Sequence, residues 1–149
     1  MRFICVTLSA PNDWNDHTNL YNWGFHEFGC FNISTGDHGY GDIPVISGVK
    51  ENVTVLPAED FIYVYSRSDK VELSWDISKF VYAPVAKNEK AGMITVKKNG
   101  ETIKEIPLIF SESIELDKSV PLSFFEMLKW SLLHQKKQPV IHYGYYING

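Results

Sequence analysis

The sequence predicts a mainly β protein, a small β-sandwich or barrel preceded by a strand and a helix and followed by an amphipathic helix. Short β-prone runs recur between turn signals through the middle of the chain, and Asn99-Gly100 joins two of them as a hairpin. Helical periodicity occurs only near the two ends. We therefore divide the chain into a strand–helix region at residues 1–30, a β-rich domain at 31–119, and an amphipathic helix with its tail at 120–149.

The chain opens with a continuous apolar run, Phe3–Ser9, which we interpret as a strand buried on both faces. Its apolar residues stop at Leu8, which is too early for the hydrophobic region of a secretory signal peptide. A turn at Pro11-Asn12-Asp13 ends the predicted strand.

A helix is predicted to begin at the capping residue Asp16 and to reach about Phe28, with Gly29 as its stop signal. Its apolar stripe consists of Leu20, Tyr21, Gly24, Phe25 and Phe28. One helix cannot bury both faces of the strand Phe3–Ser9, so part of the cover that this strand needs is missing.

The β-rich domain follows a glycine-containing loop at residues 36–42. The strands predicted before the hairpin are Ile43–Ile46, Val53–Leu56, Phe61–Tyr65, Val71–Trp75 and Lys79–Tyr82. In the hairpin, Met93–Val96 and Thr102–Ile106 flank Asn99-Gly100. Pro107 lacks a backbone N–H, so it predicts an edge position or a bulge in the last long strand.

The C-terminal region is predicted to form an amphipathic helix over Pro121–Gln135. Its apolar stripe supplies four candidates for membrane contact, Phe124, Phe125, Leu128 and Leu132. Packing of this stripe on the β-rich domain is the alternative. Residues 139–149 are aromatic and aperiodic, so we expect a poorly ordered tail.

The sequence predicts no catalytic, cofactor-binding or metal-ligating residue, because it contains no G-x-S-x-G, G-x-G-x-x-G or P-loop motif and no paired carboxylates stand out. The five histidines lack metal-ligand spacing, and His38 beside Asp37 is interpreted as part of a solvated loop. A net charge of -4 without a basic stripe argues against a nucleic-acid partner. Cys5 is interpreted as a buried thiol, and a disulfide between Cys5 and Cys30 stays open.

Two parts of the sequence resemble a known family. Met1–Pro11 followed by Leu20–Phe25 resembles the last strand and helix of a penicillin-binding catalytic domain. Tyr82–Gly92, Lys98–Ile103 and Ile106–Leu108 resemble the β-rich domain that follows it. From Met1 to about Phe125 the chain is thus similar to the bacterial D-alanyl-D-alanine carboxypeptidases, the low-molecular-mass penicillin-binding proteins.

The resemblance implies no catalytic residue in this chain. In the family a serine attacks the D-Ala-D-Ala bond of cell-wall stem peptides, and its motifs are Ser-x-x-Lys, Ser-x-Asn and Lys-Thr-Gly. All three lie upstream of the segment that this chain resembles. We interpret the matches found in this chain as chance occurrences. Ser47-Gly48-Val49-Lys50 spells the first motif, Tyr146-Ile147-Asn148 resembles a variant of the second, and Ser34-Thr35-Gly36 lacks the lysine of the third.

By resemblance, residues 1–30 are the end of a catalytic domain, 31–119 a β-rich spacer, and 120–149 a reversible anchor on the outer face of the cytoplasmic membrane. The implied partners are the catalytic domain, the stem peptide that it cleaves and the membrane surface. The chain alone is expected to be inactive. One alternative is a free-standing cell-surface binding module that pairs through Phe3–Ser9 by strand exchange or dimerisation, and another is a peripheral membrane protein.

Overall fold

The computed structural model describes residues 1–37, 39–119 and 140–147 of the chain. Its helix α1 spans Asp13–Glu27. The strands are β1 Phe28–Ile33, β2 Asp42–Ile46, β3 Asn52–Pro57, β4 Phe61–Ser66, β5 Val71–Ser78, β6 Val81–Tyr82, β7 Lys90–Lys98, β8 Glu101–Phe110 and β9 Val140–Ile147. The prediction of a mainly β fold is confirmed.

The strands form a curled seven-stranded sheet in the order β6-β2-β3-β8-β7-β5-β9, and β1 pairs with β4 in a separate two-stranded sheet. Neighbouring strands are antiparallel except for the short parallel contact between β2 and β6. The core lies inside the curl, because alternate residues of the strands turn inward. Its fully buried residues include Ile43, Val55, Val71, Ile94, Val96, Ile106 and Leu108.

The β7–β8 hairpin forms at the predicted turn. Asn99 and Gly100 both have positive φ values, 51° and 87°, as a two-residue turn of this kind requires. Lys98 and Glu101 are opposite each other at the base of the turn. This local prediction is confirmed because the turn chemistry is contained in two adjacent residues.

Pro107 does not lie on an edge strand, because β8 is between β3 and β7. The ladder between β3 and β8 ends at the pair Pro57↔Leu108, and Pro107 is the neighbouring β8 residue just beyond that end. The missing N–H therefore falls at the end of a ladder, where it interrupts no continuous pairing. A register shift in the β7–β8 pairing, between Lys90 and Gly92, lies close to this position.

The prediction of a strand buried on both faces at Phe3–Ser9 is wrong for the described structure. The segment belongs to neither sheet, and its side chains alternate between half-buried and exposed. Phe3, Cys5 and Thr7 turn towards α1, whereas Ile4 and Val6 face outward. The apolar run has the composition of a covered strand, but the described residues provide cover for only one side.

The boundaries of α1 differ from the prediction by a few residues. The helix begins at Asp13 because the Asn12 carbonyl accepts the amides of Asn15 and Asp16 at 3.1 and 3.0 Å. It ends at Glu27, and the chain enters β1 directly. Gly29 is therefore a strand residue, where a Cβ would lie 2.6 Å from the Tyr65 ring.

The prediction of a poorly ordered tail is wrong for residues 140–147. These residues form β9, which pairs with β5 along its length, from Val71↔Ile147 to Ser78↔Val140. The rings of Trp75 and Tyr143 stack across this pair with centroids 5.5 Å apart. Several predicted features lie outside the described residues, namely the Pro121–Gln135 helix with Phe124, Phe125, Leu128 and Leu132, and also His38 and His134.

Candidate functional site

The N-terminal segment is an extended chain that packs along α1. The Phe3 ring contacts Phe25 edge-on at a centroid distance of 5.0 Å. It also lies over Gly24, where an added Cβ would approach the ring to 3.3 Å. Further along, Thr7 Oγ1 and His17 Nε2 are 3.0 Å apart. One side of the segment is thereby attached to the helix.

The opposite side of the segment is apolar and uncovered. Ile4, Val6 and Leu8 are 86%, 77% and 87% exposed. Within the described residues the backbone of residues 1–8 makes no backbone–backbone hydrogen bond. An extended chain with free backbone groups and an exposed apolar side has the features that pair with another strand or pack on an apolar surface.

The exposed apolar surface continues onto α1. Trp14, Leu20, Trp23 and Phe25 are all exposed on this helix, and Gly24 is its buried residue. A groove of 320 Å³ lies between the segment and the helix, lined by Phe3, Ile4, Cys5, Val6, Leu20, Tyr21, Trp23 and Gly24. We call this region, residues 3–8 together with the exposed side chains of α1, the N-terminal apolar surface.

The sequence pattern identifies some of the apolar residues of this surface but not its two tryptophans. The sequence places Leu20 and Phe25 on the apolar stripe of the helix, but both are exposed. Trp14 and Trp23 were not assigned to it, although two exposed tryptophans on a short helix are the stronger signal of an interaction surface.

Hydrogen bonds fix the C-terminal end of α1 to the β-rich domain. The Arg67 amide donates to the Glu27 carbonyl at 2.8 Å. The Ser66 hydroxyl donates to the Glu27 carboxylate at 2.7 Å. Because β4 carries these contacts and also pairs with β1, the N-terminal apolar surface is held in a defined position relative to the sheets.

The family to which the sequence belongs follows from the β-rich domain. Residues 32–116, more than half of the chain, match the family described as "Penicillin-binding protein 5, C-terminal domain". The chain belongs to this family. The match covers β2 to β8 and most of the described sheet, whereas the N-terminal apolar surface lies before it.

Two solved structures are similar to this penicillin-binding protein 5 C-terminal domain chain. Penicillin binding protein 5 from Haemophilus influenzae is 21% identical over 68% of this chain and 30% of its own, with a TM-score of 0.49. A peptidoglycan synthesis regulatory factor (PBP3) from Streptococcus pneumoniae is 16% identical over 70% of this chain and 32% of its own, with a TM-score of 0.44. The chain spans about a third of the length of these two proteins. No curated protein matches the sequence.

Two of the three matches to the catalytic motifs lie in turns of this family member, whereas Tyr146 and Ile147 of the third lie in β9. Ser47 has a positive φ of 59° and follows β2, whereas Lys50 pairs with the Glu112 carboxylate. Thr35 lies in the turn after β1, and its amide donates to Asp60 at 2.6 Å. This hydrogen bond keeps the pKa of the Asp60 carboxyl below its ordinary value. Neither serine lies at the start of a helix, and Asn148 is outside the described residues.

The remaining sequence candidates are dispersed. Among the residues that the structure describes, no group of three or more His, Cys, Asp and Glu side chains could hold a metal ion. Cys5 is half-buried and Cys30 is exposed, and both are free thiols. No helix in the described ranges is long and apolar enough to cross a membrane.

Proposed function

We propose that this chain is the C-terminal region of a serine-type D-Ala-D-Ala carboxypeptidase that acts in peptidoglycan synthesis or remodelling. It serves as a spacer and positioning region and does not itself carry the catalytic serine. The observation that carries this proposal is the match of residues 32–116 to the C-terminal domain of penicillin-binding protein 5.

The N-terminal apolar surface is the part of the chain on which we expect the catalytic domain to pack. Ile4, Val6 and Leu8 face outward from an extended backbone whose hydrogen-bonding groups are unpaired among the described residues. A sheet of a neighbouring domain would cover both the side chains and the backbone of this segment. The hydrogen bonds that join Glu27 to the end of β4 would then fix the position of the β-rich domain relative to that sheet.

The proposed inactivity of the chain alone rests on the nucleophile motif. A Ser-x-x-Lys nucleophile needs its lysine amine beside the serine hydroxyl. Lys50 is instead paired with Glu112, and Ser47 is in a turn. We expect the purified chain to remain unlabelled by penicillin, and its Ser47→Ala variant to behave identically.

The proposed membrane role rests on residues 120–149. An amphipathic helix with Phe124, Phe125, Leu128 and Leu132 on one stripe binds a membrane surface reversibly, outside the cytoplasm. A single such helix on a protein with a net charge of -4 is a weak anchor. Flotation with anionic vesicles tests this part, since Leu128→Ser should reduce binding and equal binding without residues 120–149 would contradict it.

Fluorescent penicillin labelling of native membranes tests the main proposal. After labelling, proteins are captured with an antibody raised against residues 32–116. We expect a labelled band well above 17.1 kDa, because the antibody should retain the catalytic domain together with this domain. Membranes pretreated with excess unlabelled penicillin provide the control. An unlabelled captured band at 17.1 kDa would contradict the proposal.

A second candidate is a free-standing binding module that self-associates through the same segment. The exposed, unpaired Phe3–Leu8 segment favours it, because two copies could pair their edges. Sedimentation of the chain and of Val6→Lys separates the two cases. A dimer that the substitution dissociates would favour the module, whereas a monomer in both cases would dismiss it.

A further inference from the structure

The outer face of β5 and β9 carries polar side chains opposite the core. The register places Glu72 beside Tyr146, Ser74 beside Gly144, and Asp76 beside His142. Their neighbours in β5, Val71, Leu73 and Ile77, are buried in the core. Consecutive residues of a strand point to opposite faces, so these polar side chains share the solvent face.

Gly144 creates a depression in this face. It has no side chain, and the small Ser74 lies opposite, so a groove of 290 Å³ opens between the side chains of Tyr146 and His142. A Cβ at Gly144 would meet Ser74 Cβ at 3.5 Å and the Leu73 carbonyl at 3.7 Å, which are ordinary contacts. The backbone thus does not require glycine here, and the groove is space that a side chain could have filled.

His142 is held with one ring nitrogen over the groove. Its Nδ1 is 2.7 Å from Asp76 Oδ1, which orients the imidazole ring. Its Nε2 is 3.9 Å from the position of a Cβ on Gly144, and so lies above the groove floor. Nε2 accepts a hydrogen bond when Nδ1 alone is protonated and donates one when both nitrogens are. A hydroxyl group, which is both donor and acceptor, can bond to either form.

Tyr146 separates this groove from a second depression. The second depression measures 490 Å³, shares Glu72 and Tyr146 with the first, and is also lined by Arg67, Ser68, Asp69, Lys70, Val71 and Ile147. Tyr146 is 67% exposed. An elongated ligand could therefore occupy both depressions and pass across the aromatic ring.

The lining favours a hydroxyl-rich ligand over an apolar or strongly charged one. Polar groups contribute at least half of the surface of each depression, and apolar groups supply the rest, so both kinds of surface are available to one ligand. Charges of both signs are interspersed, with Glu72 and Lys97 in the same groove, and Asp69 is already paired with Lys98 at 2.8 Å. Within the described residues, Glu72 and Lys97 have no side-chain hydrogen bond or ion pair and can bond to a ligand.

We propose that this face binds a pyranose saccharide chain, with one ring packed on Tyr146 and its hydroxyls bonded to Glu72, Lys97 and His142 Nε2. The C–H face of a pyranose is apolar and packs on an aromatic ring, while the hydroxyls around its edge need hydrogen-bond partners. This site is independent of the proposed carboxypeptidase function, which uses none of these residues.

Amide NMR titration of the full chain with cellotetraose and, in parallel, chitotetraose tests the site. We expect shifts at residues 72–76 and 142–147 with a Kd of about 1 mM for at least one probe. Tyr146→Ala should weaken binding about three- to tenfold, whereas Tyr146→Phe retains the ring and should bind nearly as the native chain does. Gly144→Ala should also weaken binding, because its methyl group occupies the groove floor without a clash.

Glu105→Gln is the matched control for Glu72→Gln. Glu105 is exposed in β8 and does not line either depression, so its substitution should leave binding unchanged while Glu72→Gln weakens it. The amide spectra establish that each variant is folded. Absence of shifts with both saccharides at about 10 mM would overturn the proposal, as would shifts that Tyr146→Ala and Glu72→Gln leave unaltered.

Discussion

Single residues in this protein are constrained by contacts that sequence neighbours do not reveal. Asn99-Gly100 is predictable because a hairpin turn needs two residues with positive φ, and these two residue types adopt it readily. Gly92 is also required, but for a close approach of β5 to β7 that exists only in the folded sheet. The first requirement is predictable because it depends only on local backbone conformation. The requirement at Gly92 is not, because it depends on a contact between strands.

Gly92→Ala should destabilise the protein by about 2–3 kcal/mol. A Cβ at this position would lie 2.1 Å from the Asp76 carbonyl oxygen, and the backbone of β5 cannot move without disturbing the core. Urea unfolding measures the change in the free energy of unfolding. Gly36→Ala is the control, since its Cβ would meet Ser34 Oγ at 3.8 Å; equal stability of both variants would contradict the argument.

Asp69 should make the stability of the fold dependent on acidic pH. Hydrogen bonding from Lys98, with further bonds from Asn99 and the Ser66 amide, lowers the pKa of its carboxyl below 3.8. A lowered folded-state pKa stabilises the protein above the unfolded value, and this contribution is lost as the pH falls through the folded pKa. Asp69→Asn should therefore lower the Tm near about pH 7 and have little effect near about pH 2.

Thermal unfolding across this pH range measures the difference between Asp69→Asn and the native chain. Glu101→Gln, an exposed substitution at the same end of the β7–β8 hairpin, serves as the control. A Tm difference for Asp69→Asn that is the same at both pH values would show that the ion pair with Lys98 does not contribute.

At the scale of elements, the sequence predicts strands well where polar and apolar residues alternate clearly. β2 and β4 differ from their predicted bounds by one residue at one end, and β3 by one residue at each end. β5 instead extends to Ser78, and β6 retains only Val81–Tyr82. β9 was missed because tyrosines occupy both of its faces, which removes the contrast that reveals a strand. The sequence also does not predict that Phe3–Ser9 lies outside both sheets. An apolar composition indicates a buried strand, but it does not identify the element that would bury it.

Tyr143→Ala should destabilise the protein by about 1–2 kcal/mol, because the Tyr143 ring stacks on Trp75 and helps to hold β9 on β5. Val140→Ala, at the exposed start of β9, should have a much smaller effect. Denaturant unfolding of both variants provides the comparison. If Tyr143→Ala changes the free energy of unfolding no more than Val140→Ala, the stack does not secure β9.

At the scale of the whole molecule, a sheet with a buried core is joined to an N-terminal region that has an exposed apolar side. The curled sheet buries its own core, whereas the N-terminal apolar surface exposes Ile4, Val6 and Leu8 together with two tryptophans. The exposure of one side of Phe3–Ser9 is predictable from sequence, because a single helix cannot cover both faces of an apolar run. The geometry of the surface is not predictable, since it depends on how Glu27 joins β4.

The most direct test of this account is hydrogen exchange of the amides of residues 3–8. It compares the isolated chain with the penicillin-labelled protein that the antibody captures. We predict rapid exchange in the isolated monomer, because these amides have no backbone partner among the described residues, and at least about 100-fold slower exchange in the larger protein. Strong protection in the isolated monomer, or equally rapid exchange in both, would contradict it.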